Sequence, residues 1–247
     1  MKVAIVFWGL CRSTEYTIES LQQNLFDVFD THGIQYQIYM HTWNLFRKYH
    51  NPRAGERNIY LKNTTWKYLN PSKYLLENQD EVDTQLNLKS YRTHGDPWQK
   101  DDIKEYVQFS CVDNVVRALY SLKRATELWL EDMDSTDIVM YIRPDVKLMG
   151  PFRLEWLLHI NDNVVYMPDF HLIDGVNDRF AFGKPAAMKT YGLRYKFALP
   201  YSEKKPLHSE RFLADYLTRH KLTVCLIPFR FRRVRAGGNL YDGDRDV

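Results

Sequence analysis

Three apolar runs in this chain end in polar residues suited to phosphate chemistry. Arg143, Pro144 and Asp145 follow "IVMYI"; His41, Thr42 and Trp43 follow "QIYM"; and Arg12 follows "VAIVFWG" just beyond Gly9. An arginine fork donates two charge-assisted hydrogen bonds at once, which matches a diphosphate. A carboxylate at a neighbouring strand end holds a hard divalent ion, and that ion neutralises a departing diphosphate. Arg12, His41, Trp43 and Arg143 are therefore expected around one phosphate-bearing ligand, with Asp145 as the metal ligand and Pro144 stiffening its turn. The plainer reading of Arg-Pro-Asp is a surface turn in which Asp145 pairs with Arg143.

A second cluster, "DGVNDRFAFG", places Asp174, Asn177 and Asp178 on a Gly-flanked loop before Phe180 and Phe182. Two carboxylates and an amide recognise hydroxyls through paired donors and acceptors, as a sugar pocket requires. Either aspartate can also take a proton from an acceptor hydroxyl. The alternative is an Asx turn leading into a strand, with Asp178 paired to Arg179. In "LHSERFLADYL", Ser209 is expected to cap a helix whose first turn carries Glu210, and the helix dipole alone explains an acid there. His208 precedes it as a candidate contact. Arg230, Arg232, Arg233 and Arg235 alternate with Phe231 and Val234, which suits a basic edge strand or a nucleic-acid patch, and Arg235 before Gly237 and Gly238 can close a loop on phosphate.

These groups need a scaffold, and the apolar spacing supplies one. "KVAIVFWG" is a buried strand closed by Gly9; "STEYTIESLQQNLFDVFDTHG" carries Leu21, Leu25 and Phe29 at helical spacing, capped by Ser13 or Thr14 and ended by Gly33. "IQYQIYMHTW" is a second strand, so the start of the chain is a βαβ unit with parallel strands and a right-handed crossover. "CVDNVVRALYSLKRATELWLEDM" reads as an amphipathic helix packed on the sheet. Strands follow at "TDIVMYIRP", "VKLM", "NVVYMPDF" and "LTVCLIPF", the last after the helix "SERFLADYLTRHK". In such sheets, ligands bind beyond the carboxyl ends of the strands, where strand order reverses.

The expected fold class is α/β: a Rossmann-type mixed, mostly parallel sheet flanked by helices, in one domain spanning 1–247. Residues 1–45 and 110–150 form its nucleotide-binding part and 151–247 its sugar and acceptor part. Residues 46–109, charged and weakly periodic, read as an insertion that covers substrate.

Composition narrows the classes without choosing among them. The chain has 247 residues, 45% hydrophobic and 15% aromatic, enough for a large core. A net charge of +3 neither demands nor excludes nucleic acid. The three cysteines, Cys11, Cys111 and Cys225, lack zinc or disulfide spacing and are expected to be reduced. No run of 18 apolar residues suggests a membrane span, and the N-terminal run reads as a strand rather than a signal peptide, so the expected location is cytoplasmic.

In order along the chain, "WGLCRS", "YMHTW", "ALYSLKRA", "YIRPDV", "GVNDRFAFG" with "AAMKTY", and "HSERFLADYL" resemble the GT-A-type glycosyltransferases of bacterial capsule and giant-virus glycan synthesis. The resemblance covers most of the chain and is weakest over 46–109. It implies a GT-A-like fold and transfer of a hexosyl or pentosyl group from a nucleotide-diphosphate sugar to a glycan acceptor, with Mn2+ or Mg2+ as candidate ion. Gly9, Arg12, His41, Trp43, Arg143, Asn177 and Arg235 would then bind the donor, Asp145 the metal, and Asp174, Asp178 and Glu210 would be the candidate catalytic groups. The family commonly carries Asp-x-Asp at the metal position, where this chain has Arg143-Pro144-Asp145, and Arg143 would supply positive charge in place of a second metal contact. Rival readings are another nucleotide-dependent transferase; a methyltransferase, which normally has a more glycine-rich first loop; a glycosidase using Asp174 with Asp178; or a basic nucleic-acid-binding module.

Overall fold

The computed structural model describes residues 1–99, 107–172 and 174–244. Its strands are β1 (Lys2–Trp8), β2 (Gln35–Asn44), β3 (Tyr49–Asn51), β4 (Glu56–Ile59), β5 (Lys73–Asn78), β6 (Ile138–Ile142), β7 (Val146–Leu148), β8 (Val164–Pro168), β9 (Phe180–Gly183), β10 (Thr223–Ile227) and β11 (Phe231–Arg233). Seven form one sheet in the order β10-β8-β9-β6-β1-β2-β5. β9 alone runs antiparallel to its neighbours β6 and β8, and the other four pairings are parallel. This is the mixed, mostly parallel α/β architecture expected from the sequence. β11 pairs with β7 and β3 with β4 as separate two-stranded ribbons.

β1 shows why the sheet takes helices on both faces. Val3, Ile5 and Phe7 point to one side, Ala4, Val6 and Trp8 to the other, and all six are buried. The first set meets Leu21, Leu25 and Phe29 of a continuous helical segment: α1 (Thr14–Leu21), a π turn (Gln22–Phe26) and α2 (Asp27–Thr31). Gly33 closes that segment with φ +64°, a left-handed conformation that glycine adopts without steric cost. The second set meets Val112, Val116, Leu119 and Trp129 of the long helix α4 (Ser110–Leu130). In the chain's second half, α5 (Pro185–Gly192) and α7 (Ser209–Arg219) extend this layer through Met188 and Leu213, and α6 (Ala198–Ser202) joins it through Ala198. Each fully buried aliphatic or aromatic chain contributes about 1.5–3 kcal/mol.

Two local expectations are corrected. Neither Ser13 nor Ser209 caps its helix. Ser13 Oγ donates to Val234 O at 2.9 Å, a tertiary partner, and Ser209 Oγ donates to the adjacent Glu210 Oε2 at 2.5 Å, a local one, so neither hydroxyl serves the helix amides. Residues 46–109 are not all a covering insertion either. β5 forms the sheet edge against β2 and leads into α3 (Gln79–Asp83), whereas the β3–β4 ribbon folds toward the strand ends. The part of that insertion spanning 100–106 lies outside the described residues.

Candidate active site

β2 and β5 lie on one side of β1, and β6 lies on the other, so strand order reverses between β1 and β6. At the carboxyl ends of those two strands opens a cleft of about 530 Å³. Its floor is Trp8, Gly9, Arg143 and Pro144, and its walls come from α4, the β3–β4 ribbon, the Asp178–Arg179 loop and the C-terminal segment. Among the described residues, ten arginines line it against three carboxylates, Asp113, Asp178 and Glu210. A low-dielectric cleft lined by one sign of charge concentrates anions.

At the β1–β6 end, the arginines are organised around two buried acids. Arg12 Nη2 donates to Asp145 Oδ2 at 2.7 Å, and its Nη1 donates to Glu56 Oε2 at 3.0 Å and to the Tyr49 hydroxyl at 2.6 Å. Arg143 takes the same carboxylate in fork geometry, Nε to Oδ1 at 2.9 Å and Nη2 to Oδ2 at 2.6 Å. Burial disfavours the Asp145 anion, but Arg143 and Arg12 outweigh it and hold the carboxyl well below the usual carboxylate range. Glu56 also accepts from the Ala236 amide at 2.7 Å, which ties the C-terminal segment to the cluster.

Arg235 completes this end and is bonded differently. Its guanidinium stacks on Tyr241, 4.1 Å from the ring centroid, and its Nε is buried without a hydrogen-bond acceptor. No carboxylate pairs with it among the described residues. Burial first, and the neighbouring Arg12 second, push it down to about 10, so it remains charged at neutral pH in a setting that disfavours its charge. An anion placed here would relieve both penalties.

The other end is built by the turn before β9. Asn177 Oδ1 accepts from the Arg179 amide at 3.0 Å, an Asx turn that presents Asp178 and Arg179 to the cleft. The Arg143 amide donates to Arg179 O at 3.1 Å, so this turn is fixed to the end of β6. Arg179 Nη2 donates to Glu210 Oε1 at 2.8 Å, and its Nη1 stands 3.3 Å from Asp178 Oδ1. Gly175, at φ +145°, lets the preceding loop pass against the Glu210 carbonyl, where a Cβ would overlap it. His208 stacks on Trp98 with centroids 4.7 Å apart, and Arg53 lies 5.8 Å from the same indole on its way into the cleft.

Of the residues expected from sequence, the cleft brings together Gly9, Arg12, Trp43, Arg143, Asp178, Glu210 and Arg235. His41 is corrected from a ligand contact to a buried support. Its Nδ1 meets Ser121 Oγ at 2.7 Å, its Nε2 meets Glu77 at 2.8 Å, and Ser121 Oγ accepts from the Gly9 amide at 2.8 Å. Asn177 is likewise fully buried, holding its turn rather than facing the cleft. Asp174 is half-exposed, paired with Arg211, and lies outside the cleft lining. Asp145 is corrected as a metal ligand: both its oxygens accept guanidinium N–H groups, and no cluster of three His, Cys, Asp or Glu suited to a metal occurs among the described residues. The residues here do not fit a divalent cation.

Two arginines of the basic run have acidic partners. Arg230 pairs with Asp169, and Arg233 grips the buried Asp244 through Nη2 at 2.6 Å. That leaves the edge-strand reading for β11 in preference to a nucleic-acid patch. No local pattern marks Tyr49, Glu56 and Tyr241, because the hairpin and the C-terminal segment bring them in from far along the chain; Arg179 enters beside Asp178, and Arg194 from the turn after α5. No disulfide forms among the described residues, and burial pushes the Cys11 thiol up to about 12. No helix of the described residues is long and apolar enough to cross a membrane.

No family model matches the chain, and no curated protein matches it in sequence. Among solved structures it is similar to mouse xyloside xylosyltransferase 1 in its apo form, at 9% identity and a TM-score of 0.46, over 92% of this chain and 85% of that one.

Proposed function

We propose that this chain is a glycosyltransferase that moves a sugar from a nucleoside-diphosphate donor to the hydroxyl of a glycan acceptor. One observation carries the reading. At the topological switch point, Arg235 is a partly buried guanidinium with an unbonded, buried Nε and no carboxylate partner among the described residues, beside Arg12 and Arg143, which are fixed on Asp145. Three guanidiniums against two acids leave a positive surplus where an α/β sheet receives phosphate.

In this reading Arg143 and Arg235 take the diphosphate, and Asp145 aims Arg12 and Arg143 without touching the ligand. The arginines perform the charge neutralisation that a divalent ion performs elsewhere. Trp8, Trp43 and Gly9 wall the nucleotide side. The sugar lies toward Asp178 and Arg179. As the bond between the anomeric carbon and the phosphate oxygen breaks, its electron pair leaves with the diphosphate, and the acceptor oxygen bonds to the same carbon. The acceptor's proton goes to Asp178. Among the three candidate acids Asp178 is the best placed: Glu210 is held by hydrogen bonds from Arg179 and Ser209, Asp174 is drawn outward by Arg211, and Asp178, though 3.3 Å from Arg179 Nη1, accepts no hydrogen bond at Oδ1.

Asp178→Asn tests this division of labour. Transfer should fall by about 10²–10⁴, while a titration with nucleoside diphosphate should give an affinity near that of the parent. Undiminished transfer removes Asp178 from the reaction, and loss of nucleotide binding moves it to the donor.

A further inference from the structure

Arg194 is the most buried arginine of the cleft, 2% exposed, and it lies in the turn between α5 and α6. Its Nη1 donates to Tyr191 O at 2.9 Å, and its guanidinium sits 4.2 Å from the Tyr191 ring centroid. Nε is buried without an acceptor. Both neighbouring carboxylates are committed elsewhere, Asp178 to Arg179 at 3.3 Å and Glu210 to Arg179 at 2.8 Å. The Tyr191 hydroxyl beside it is also buried, and the tyrosine lies in the core behind the cleft.

A buried cation without a counter-charge costs several kcal/mol, and folds normally avoid it. The free Nε belongs to the edge of the guanidinium that, together with Nη2, receives both oxygens of a carboxylate in parallel. Any anion that reaches this edge must be carried by the part of the ligand lying deepest in the cleft. The diphosphate arginines stand at the β1–β6 end, so that part is the sugar rather than the phosphates.

We infer that Arg194, held in place against Tyr191, forms a subsite for a carboxylate on the transferred sugar, making the preferred donor a nucleoside-diphosphate uronate. The inference rests on the glycosyltransferase reading and narrows it to an acidic donor. A neutral sugar would leave Arg194 desolvated and without a counter-charge, and discrimination against such a ligand is correspondingly large.

Isothermal titration of the whole chain with UDP, GDP, UDP-glucose, UDP-glucuronate, GDP-mannose and GDP-mannuronate tests it. One uronate should bind at least tenfold more tightly than the neutral sugar on the same nucleotide. Arg194→Gln should erase that difference and leave the bare diphosphate within twofold of the parent. The preference is read on the parent protein, so a variant that folds poorly does not decide the matter. Diphosphate binding with equal or better affinity for the neutral sugar overturns this inference and leaves the transferase reading standing. A neutral preference joined to Arg194-dependent binding of a glucuronate oligosaccharide puts the acid on the acceptor and overturns the donor assignment. Failure of UDP and GDP alike to bind overturns the transferase reading, and this inference with it.

Discussion

Arg12 and Asp145 meet at 2.7 Å in the interior, with side chains 8% and 2% exposed, and Arg143 closes on the same carboxylate from the other side. An acid so enclosed organises its neighbours and does not reach a ligand. Asp145→Asn should therefore cost about 3–5 kcal/mol, the range for breaking a buried pair, measured by urea denaturation. A stability within 1 kcal/mol of the parent would show that the arginines hold their places without it.

The same carboxyl sets an acid limit. Its folded value lies below the ordinary 3.8, so its contribution is complete above that pH and is lost as pH falls through the folded value. Asp244, lowered despite burial by His171 and Arg233, adds in the same direction. The denaturation midpoint of the parent should drop steeply below pH 4, and that of Asp145→Asn should drop less.

His41 acts in a higher window. Burial lowers it from 6.5, against the pull of Glu77, so the unfolded chain binds more protons than the folded one as pH falls below that value. Stability should decline from about pH 6.5 downward. His41→Gln should flatten that decline, which a pH series of thermal midpoints reads directly. His208 and His220, also lowered by burial, leave a residual slope.

Gly175→Ala should destabilise by about 1–3 kcal/mol, because the added Cβ meets the Glu210 carbonyl and the backbone stands at φ +145°. It should also slow transfer, since the start of α7 carries Glu210. An unchanged midpoint and rate would mean that the loop moves aside freely.

The strands and helices that bury two faces or one long stripe were readable in sequence. β1, β2, β6 and α4 announce themselves by runs and by Val112, Val116, Leu119 and Trp129 at helical spacing. β5 was not, because "KYLLEN" sits among charges and becomes a strand only by pairing with β2. The strand ends gave the right residue types, but not always the right direction. His41 shares a face with Tyr39 and Trp43, and that alternation already turns it under α4 toward Ser121. The Arg12–Glu56 pair spans 44 residues and depends on a hairpin whose docking no local pattern encodes. Arg194, a lone arginine in "YGLRYKF", is set apart only by what surrounds it once folded.

Calorimetric titration of the purified chain with UDP and GDP in the presence of a chelator, repeated on Arg235→Gln, tests the diphosphate site most directly. One diphosphate should bind without added metal, and the substitution should weaken it by about tenfold or more, the loss of a charge-assisted hydrogen bond. The thermal midpoint of the variant should hold or rise, because a partly buried guanidinium without a carboxylate partner is removed. Binding that needs a divalent ion, or that Arg235→Gln leaves unchanged, would contradict the arginine site.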